Sequence, residues 1–399
     1  MDIFRKIWCR SFQSAFRLAL PVLPYRNPVI LTSVDKIPDL LREKGKRTVL
    51  VVTDPGVLKH KLAEPLLALL DEASVKYGIF SDIRPNPTME NIENARQAYI
   101  DQNAEAIIAI GGGSAIDAAK ALGARIAHPR KSLARMGGIL RVFKPLPMFI
   151  AIPTTAGTGS ETTLAAIVTD AERQRKYALM SFPLIPHYAI LDPRMTLTLP
   201  PDLTATTGMD ALTHAIEAFI GRSTTRETRT LAVDAVKLIF ANIGKAFEDG
   251  TDLEARSNML LASHKAGLAF SKSYVGYVHA IAHSLGGKYD TPHGIANAII
   301  LPEMLAEYGE NIHDKLSLLA KVAGICSAEC NPAEASAKFI EARRMLNRKM
   351  GIPAKIDAIS ECDIPELAAH AEKEANPLYP VPRLMTARQL EKIYRIICK

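Results

Sequence analysis

Two stretches in the second half of the chain carry side chains that ligate metals. In GMDALTHAIEAFI, Asp210 and His214 stand four residues apart and share one face of a helix. In YVHAIAHSLGGKYDTPHGIANAIILP, His279 and His283 repeat that interval, and His293 follows a turn built from Asp290, Pro292 and Gly294. One carboxylate and three imidazoles can converge on a single divalent ion and leave a coordination position open. Such an ion is a Lewis acid that lowers the pKa of an alcohol or polarises a carbonyl. His283, on the same helix face as His279, is placed to pass a proton to solvent. Any one histidine on an apolar helix is more often a satisfied core residue. Three of the chain's ten histidines within fifteen residues, after an Asp-His pair on an earlier helix, weaken that reading. His60, His128, His187, His264, His313 and His370 have no such company and read as surface or structural residues.

The first half suggests a different ligand. EAIIAIGGGSAIDAAKALG sets Gly111, Gly112 and Gly113 between an apolar run and a helical period. Without Cβ atoms the backbone can approach a pyrophosphate, and a helix starting near Ser114 aims its first N–H groups at that charge. The spacing is not the GxGxxG fingerprint, and the same run would also serve as a plain tight turn. A second polar turn, Thr154, Thr155, Ala156, Gly157, Thr158, Gly159 and Ser160, follows the apolar run that ends at Pro153. Two such loops together favour a nucleotide. Asp54, in VVTDPGV, could hold both hydroxyls of an adenosine ribose and repel a 2′-phosphate, which favours NAD over NADP. Asp-Pro-Gly is equally good turn chemistry.

The elements that must position these groups follow from periodicity. Apolar, β-branched runs at 28–33, 48–54, 77–82, 105–111, 148–153 and 188–192 alternate with helical periods such as His60–Lys76 and Met89–Asn103. That alternation predicts a parallel sheet covered on both faces. After Pro200 the period is almost wholly helical, with breaks expected at Gly221, Gly250, Gly287 and Gly351. The expected fold class is α/β plus all-α: a parallel-sheet dinucleotide-binding domain over 28–198, then a helical metal-binding domain over 199–399. Residues 1–27 form an amphipathic extension, with Phe4, Trp8, Phe12, Ala15, Phe16 and Leu18 on one face and Lys6, Arg10 and Arg17 opposite. Its stripe is expected to pack on the body or on a partner subunit. The alternative is peripheral contact with a membrane surface. LALPVLP, short and broken by Pro21 and Pro24, does not read as a cleaved signal.

Composition narrows the classes. A chain of 399 residues, 48% hydrophobic and 23% charged, is long enough for two cores and is not disordered. No apolar run is long enough for a membrane-spanning helix. The net charge of +7 is spread among nearly as many acids, without a zinc-finger or RNA-binding motif, so no nucleic-acid partner is expected. Five scattered cysteines argue against a disulfide framework and fit a cytoplasmic protein. Cys326 and Cys330, four apart without a second pair, read as thiols rather than half a metal site.

Taken in order, IGGGSAIDAAK, PTTAGTGSE, TGMDALTHAIEAF, GYVHAIAHSLGG and TPHGIANAIILP resemble the iron-containing alcohol dehydrogenases, from about residue 28 to the end. The resemblance implies an NAD-dependent enzyme that moves a hydride between a small alcohol or aldehyde and NAD. It implies a divalent metal, iron(II) in first place and zinc in second, and a homodimer. It carries the ligand role onto Asp210, His214, His279 and His293, and a proton-relay or cofactor-side role onto His283. It carries nucleotide contacts onto Asp54, Asn86, Gly112, Gly113, Ser114, Asp117, Thr154, Thr155, Thr158, Thr163 and Lys176, and a substrate-pocket role onto Phe270. Ala165 departs from relatives with a polar pocket residue there, and the basic aromatic extension departs from their shorter starts. The competing readings are a relative that uses zinc or reduces a keto or semialdehyde acid, and an inactive NAD-binding scaffold. The filled ligand set argues against the scaffold and against the metal-free maleylacetate reductases.

Overall fold

The first helix, α1 (Ile3–Ala19), groups with the second half of the chain, so the first compact unit is Pro24–Leu199. The computed structural model describes residues 1–171 and 175–399. In this unit the apolar runs become strands, buried on both faces in the middle of the sheet and partly exposed along its two edge strands. They are β1 (Val29–Leu31), β2 (Thr48–Val52), β3 (Lys76–Phe80), β4 (Ala106–Gly111), β6 (Met148–Pro153) and β9 (Tyr188–Ile190), with β5 (Gly138–Ile139), β7 (Ala165–Asp170) and β8 (Arg175–Met180) outside that sheet. The six form one sheet in the order β1-β9-β6-β4-β2-β3, with every pairing parallel. Around it run α2 (Ile37–Glu43), α3 (Pro55–Lys59), α4 (Glu64–Glu72), α5 (Met89–Asp101), α6 (Gly113–Ala127) and α7 (Leu133–Met136). Val51, Ile108 and Ile150 share a core with Leu41 of α2 and Leu66 and Leu70 of α4. Leu50, Val52 and Ile107 share another with Ile92 of α5 and Ile116 and Ala119 of α6. The neighbouring strands β4 and β6 end in register, Gly111 opposite Pro153, so both polar turns leave the same sheet edge.

Two features differ from expectation in this unit. The helix expected over His60–Lys76 is confined to α4; α3 ends before it, and Lys76 already opens β3. Asp54 caps the first turn early, and Lys61, in the left-handed region at φ +59°, breaks the path. A second sheet, β5-β8-β7, was not anticipated: β7 and β8 pair antiparallel, and β7 alternates buried with half-buried residues.

The second unit comprises Met1–Leu23 and Pro200–Lys399. Its helices after α1 are α8 (Pro201–Ile220), α9 (Arg226–Glu248), α10 (Leu253–Ser273), α11 (Tyr277–Tyr289), α12 (His293–Tyr308), α13 (His313–Val322), α14 (Pro332–Lys349), α15 (Ile364–Ala375) and α16 (Ala387–Ile397). Gly221 follows α8, Gly250 lies between α9 and α10, and Gly351 follows α14. Gly287 does not break its helix: α11 runs to Tyr289 and stops at Asp290, in the left-handed region at φ +52°.

Of the apolar stripe of α1, Phe16 packs on this unit, against Tyr274, while Phe4, Trp8, Phe12 and Leu18 are exposed, so the expected packing on the body is confined to one end. The inward side carries Cys9, Gln13, Phe16 and Leu20, whereas Phe4 is 81% and Trp8 62% exposed. Polar bonds decide the orientation. Gln13 Nε2 donates to the carbonyls of Pro377 (3.1 Å) and Tyr379 (2.8 Å), and Arg10 donates to those of Val381 (2.8 Å) and Pro382 (3.0 Å). Those carbonyls lie outside helices and strands, where Arg10 and Gln13 supply donors to them; that of Tyr379 also accepts the Val381 N–H at 2.8 Å.

Candidate active site

In α8, Asp210, His214 and Glu217 follow one another at four and three residues on one buried face. Glu217 accepts N–H bonds from Gly276 (2.8 Å) and Val278 (2.9 Å), which pins the start of α11 against α8. Position 276 must be glycine, because a Cβ there would lie 2.5 Å from Glu217 Oε1. The pinned helix presents His279, whose Nδ1 meets Glu217 Oε2 at 2.6 Å. Burial raises the Glu217 pKa to about 7, against the pull of its N–H donors. His279 itself is driven well below the usual imidazole range by burial and by the neighbouring His214, His293 and His283.

Asp210, His214, His279 and His293 each offer one ligand atom, and these atoms all lie within 4.8 Å of one another. Asp210 Oδ1 is 3.8 Å from His279 Nε2 and 3.5 Å from His293 Nε2, and Asp210 Oδ2 is 4.0 Å from His214 Nδ1. His293 opens α12, and one turn on, Asn297 Nδ2 donates to Asp210 Oδ1 at 2.7 Å. The donor set passes a physical test for a cation. His279 Nε2 is buried with no hydrogen-bond partner, while Nδ1 is committed to a carboxylate. A buried lone pair left without a donor costs free energy that a metal ion recovers, and a carboxylate on the far nitrogen fixes the tautomer that ligation requires.

Around this cluster the rings stack. Phe270 of α10 lies on His214 at 4.1 Å and 12°, and His214 lies on His279 at 4.4 Å and 26°. His283 is exposed and stacks on His293 at 5.3 Å and 16°. Its Nδ1 meets Glu374 Oε1 at 2.6 Å, and the same oxygen accepts the Tyr379 hydroxyl at 2.7 Å. Loss of water around the ring lowers the His283 pKa, but the Glu374 carboxylate outweighs it and the net shift is upward. Sequence reasoning missed Glu217, Glu374, Tyr379 and Asn297. Glu217 had a signal, seven residues from Asp210 on the same helix face. Glu374, 91 residues from His283, had none.

In the other unit, Thr154 N–H donates to the Gly111 carbonyl at 3.0 Å, which ties the two polar turns together. Gly112 is the N-cap of α6 and no side chain caps that helix, so its first N–H groups are available to an anion. A Cβ on Gly113 would lie 2.9 Å from Thr158 Cγ2, so the second turn presses on the start of α6. Ser114, Thr155 and Thr158 are half-buried there. Asp54 does cap α3, accepting from Gly56 (2.8 Å) and Val57 (3.1 Å), and its other oxygen faces Gly111. Asp117 and Thr163 are engaged inside the fold. Asp117 accepts from Ser160 Oγ (2.5 Å) and from Ile167 N–H (2.9 Å). Lys120, fully buried and not anticipated, donates to Ser160 Oγ (2.9 Å), Thr163 Oγ1 (2.8 Å) and the Ala165 carbonyl (2.7 Å). Burial lowers its pKa to about 8, although Asp117 and Glu161 oppose the shift. Lys176 Nζ donates to Asn86 Oδ1 at 3.0 Å on the surface.

Comparison with known proteins bears on both ends of this chemistry. Residues 31–193 match the family model for iron-containing alcohol dehydrogenase, and 204–398 match the model for the C-terminal region of the Fe-containing alcohol dehydrogenase family. The chain is 35% identical to 1,3-propanediol dehydrogenase of Klebsiella pneumoniae over 385 residues, 95% of this chain and 98% of that one. It is 33% identical to NAD-dependent methanol dehydrogenase of Bacillus methanolicus over 365 residues, 91% of this chain and 95% of that one. The solved alcohol dehydrogenase from Oenococcus oeni superposes with a TM-score of 0.89 at 33% identity, covering 94% of this chain and all of that one. With both halves matched and identities of this size over nearly its whole length, the chain belongs to the iron-containing alcohol dehydrogenases, metal-containing enzymes that link the oxidation and reduction of alcohols and aldehydes to NAD.

Proposed function

We propose that Asp210, His214, His279 and His293 hold one divalent ion, iron(II) before zinc, and that the enzyme interconverts short primary alcohols or diols with their aldehydes. The observation that carries the reading is the buried His279 Nε2, unpartnered and 3.8 Å from Asp210 Oδ1, with its tautomer fixed by Glu217. A divalent ion there would acidify an alcohol and polarise an aldehyde. Glu217 fixes the orientation and tautomer of His279, while burial and the neighbouring histidines keep the ring neutral. Phe270, stacked on His214, gives the substrate an apolar wall beside the ligands. His283, with Nδ1 directed to Glu374, has Nε2 left to exchange the hydroxyl proton with solvent. The names of the relatives, which specify 1,3-propanediol and methanol, support small substrates.

For NAD, the same reading assigns the pyrophosphate to the Gly112, Gly113 and Ser114 turn together with Thr154, Thr155 and Thr158, and the ribose to Asp54. Asn86 and Lys176 contact the nucleotide as a bonded pair, and Asp117 and Thr163 support the turn through Ser160 and Lys120. Residues 28–198 are the nucleotide domain and 199–399 the metal domain, with 1–27 as an appendage. Five free thiols support a reducing cytoplasm, and the open edge strand β1, with Val29 and Ile30 exposed, supports pairing into a homodimer. The test is NADH formation from short primary alcohols and diols at neutral to mildly alkaline pH, by protein stripped of metal and reloaded with ferrous iron or zinc without oxygen. Activity that needs one ion establishes the reading and names the ion. Full activity in the stripped protein overturns it.

A further inference from the structure

The side of α1 turned away from the protein is apolar: Ile3, Phe4, Ile7, Trp8, Phe12 and Leu18 are all exposed, Leu18 at 80%. From residue 3 to residue 18 this stripe runs roughly 22 Å along the helix. The helix does not need the stripe for its own docking. It is held by Arg10 and Gln13 on backbone carbonyls, by the pairing of Arg5 with Glu372 at 2.7 Å, and by Phe16 edge-on against Tyr274 at 4.9 Å. The opposite side of the helix carries the exposed cations Lys6 and Arg17, and Asp2, the N-cap, is the only acid among the first 28 residues.

We infer that this face docks on an anionic bilayer surface, with α1 lying in the plane of the headgroups. An outward stripe of aromatic and aliphatic side chains on a helix whose exposed charges are lysine and arginine is the chemistry that inserts shallowly beneath anionic headgroups. Charge selects this occupant over a second copy of the chain. A two-fold contact would set the patch against itself and bring together two basic helices on chains of net charge +7. A bilayer carrying phosphatidylglycerol offers the opposite sign. The inference is independent of the metal and of NAD.

Trp8 is the only tryptophan, so its fluorescence reports on this face alone. The full-length protein is mixed with vesicles of phosphatidylcholine and with vesicles carrying about a third phosphatidylglycerol, then followed by Trp8 emission and by sedimentation. The expected result is a blue shift and co-sedimentation with the anionic vesicles, both weakened by salt. Phe4→Ser combined with Ile7→Ser keeps the reporter and should lower partitioning about a hundredfold, at roughly tenfold per exposed side chain. The variant's unfolding midpoint and NADH formation should match the wild type, since neither residue packs on the protein. No association with either vesicle, binding indifferent to lipid charge and salt, or binding unchanged in the variant would each overturn the inference. So would a loss of mass in the variant by analytical ultracentrifugation, which would make the occupant a second copy.

Discussion

At His279 one ring carries two duties, Nδ1 bonded to Glu217 and Nε2 turned toward Asp210. His279→Ala should therefore abolish metal retention and turnover while leaving NAD affinity within a few-fold. Retained metal with lost NAD binding would refute the assignment. Glu217→Gln tests the support separately. It keeps the size, but its single carbonyl oxygen can accept from only one of the N–H groups at 276 and 278, and it removes the carboxylate that fixes the His279 tautomer. Metal affinity, read by competition with a chelator, should fall roughly 10–100-fold. An unchanged affinity would reduce Glu217 to a brace for α11. Asp54→Gly should relax discrimination against NADP, measured as the ratio of kcat/KM values. No change would leave Asp54 as the cap of α3, a role it visibly performs. Much of this was legible because the four-residue intervals Asp210–His214 and His279–His283 each define one helix face. Glu374 was not legible, since its carboxylate reaches His283 only through the packing of α15 on α11.

Among elements, the four inner strands of the parallel sheet announced themselves as apolar, β-branched runs because both faces are buried, and the edge strands β1 and β3 did so although they are partly exposed. The strands β7 and β8 did not: AAIVTD is half-buried and alternating, and its partner KYALM begins among charged residues. The stripe on α1 misled for a related reason. An amphipathic pattern shows that a helix has two sides and leaves open which one the body takes. Here the body took a mixed side, packing Cys9, Phe16 and Leu20 while its carbonyls accept from Arg10 and Gln13. The bracket between α6 and the second polar turn was equally silent, because Lys120 within a helical period looks like a surface lysine until Ser160, Thr163 and Ala165 close over it. Its buried ammonium gives a signed prediction. The folded protein releases the Lys120 proton at about pH 8, the unfolded chain near 10.5. Between those values the unfolded chain binds more protons, so this group's contribution to stability rises with pH. Below about 8 both states hold the proton and the full penalty of burying the charge applies. Relative to Lys120→Met, wild-type stability should rise by about 2 kcal/mol from about pH 7.5 to about pH 9.5, measured by urea unfolding. A flat difference would mean that the ammonium is already compensated in the fold.

For the molecule as a whole, the chain packs as two units, the first helix joining the one that is remote from it in sequence, and the proposed metal and nucleotide sites fall one in each. If the assignments hold, each ligand should stabilise its own unit. The metal cluster draws on α8, α11 and α12, so zinc, chosen because it is redox-silent, should slow amide exchange in those helices. NAD should slow it at 111–117 and 154–163, where the backbone N–H groups would be covered. At ligand concentrations of about 100 times Kd the gain is roughly 2.7 kcal/mol, so amides that exchange only through opening of that unit should slow about a hundredfold. His279→Ala should erase the zinc pattern and preserve the NAD pattern. Gly113→Val should do the reverse, because the new side chain strikes Thr158 and pushes the two turns apart. Zinc protection at the glycine turn, or NAD protection concentrated on α11 and α12 in the absence of metal, would reverse the assignment of ligands to units. Loss of both patterns in either variant would mean that neither unit holds its site without the other, and the account of two locally built sites would fall.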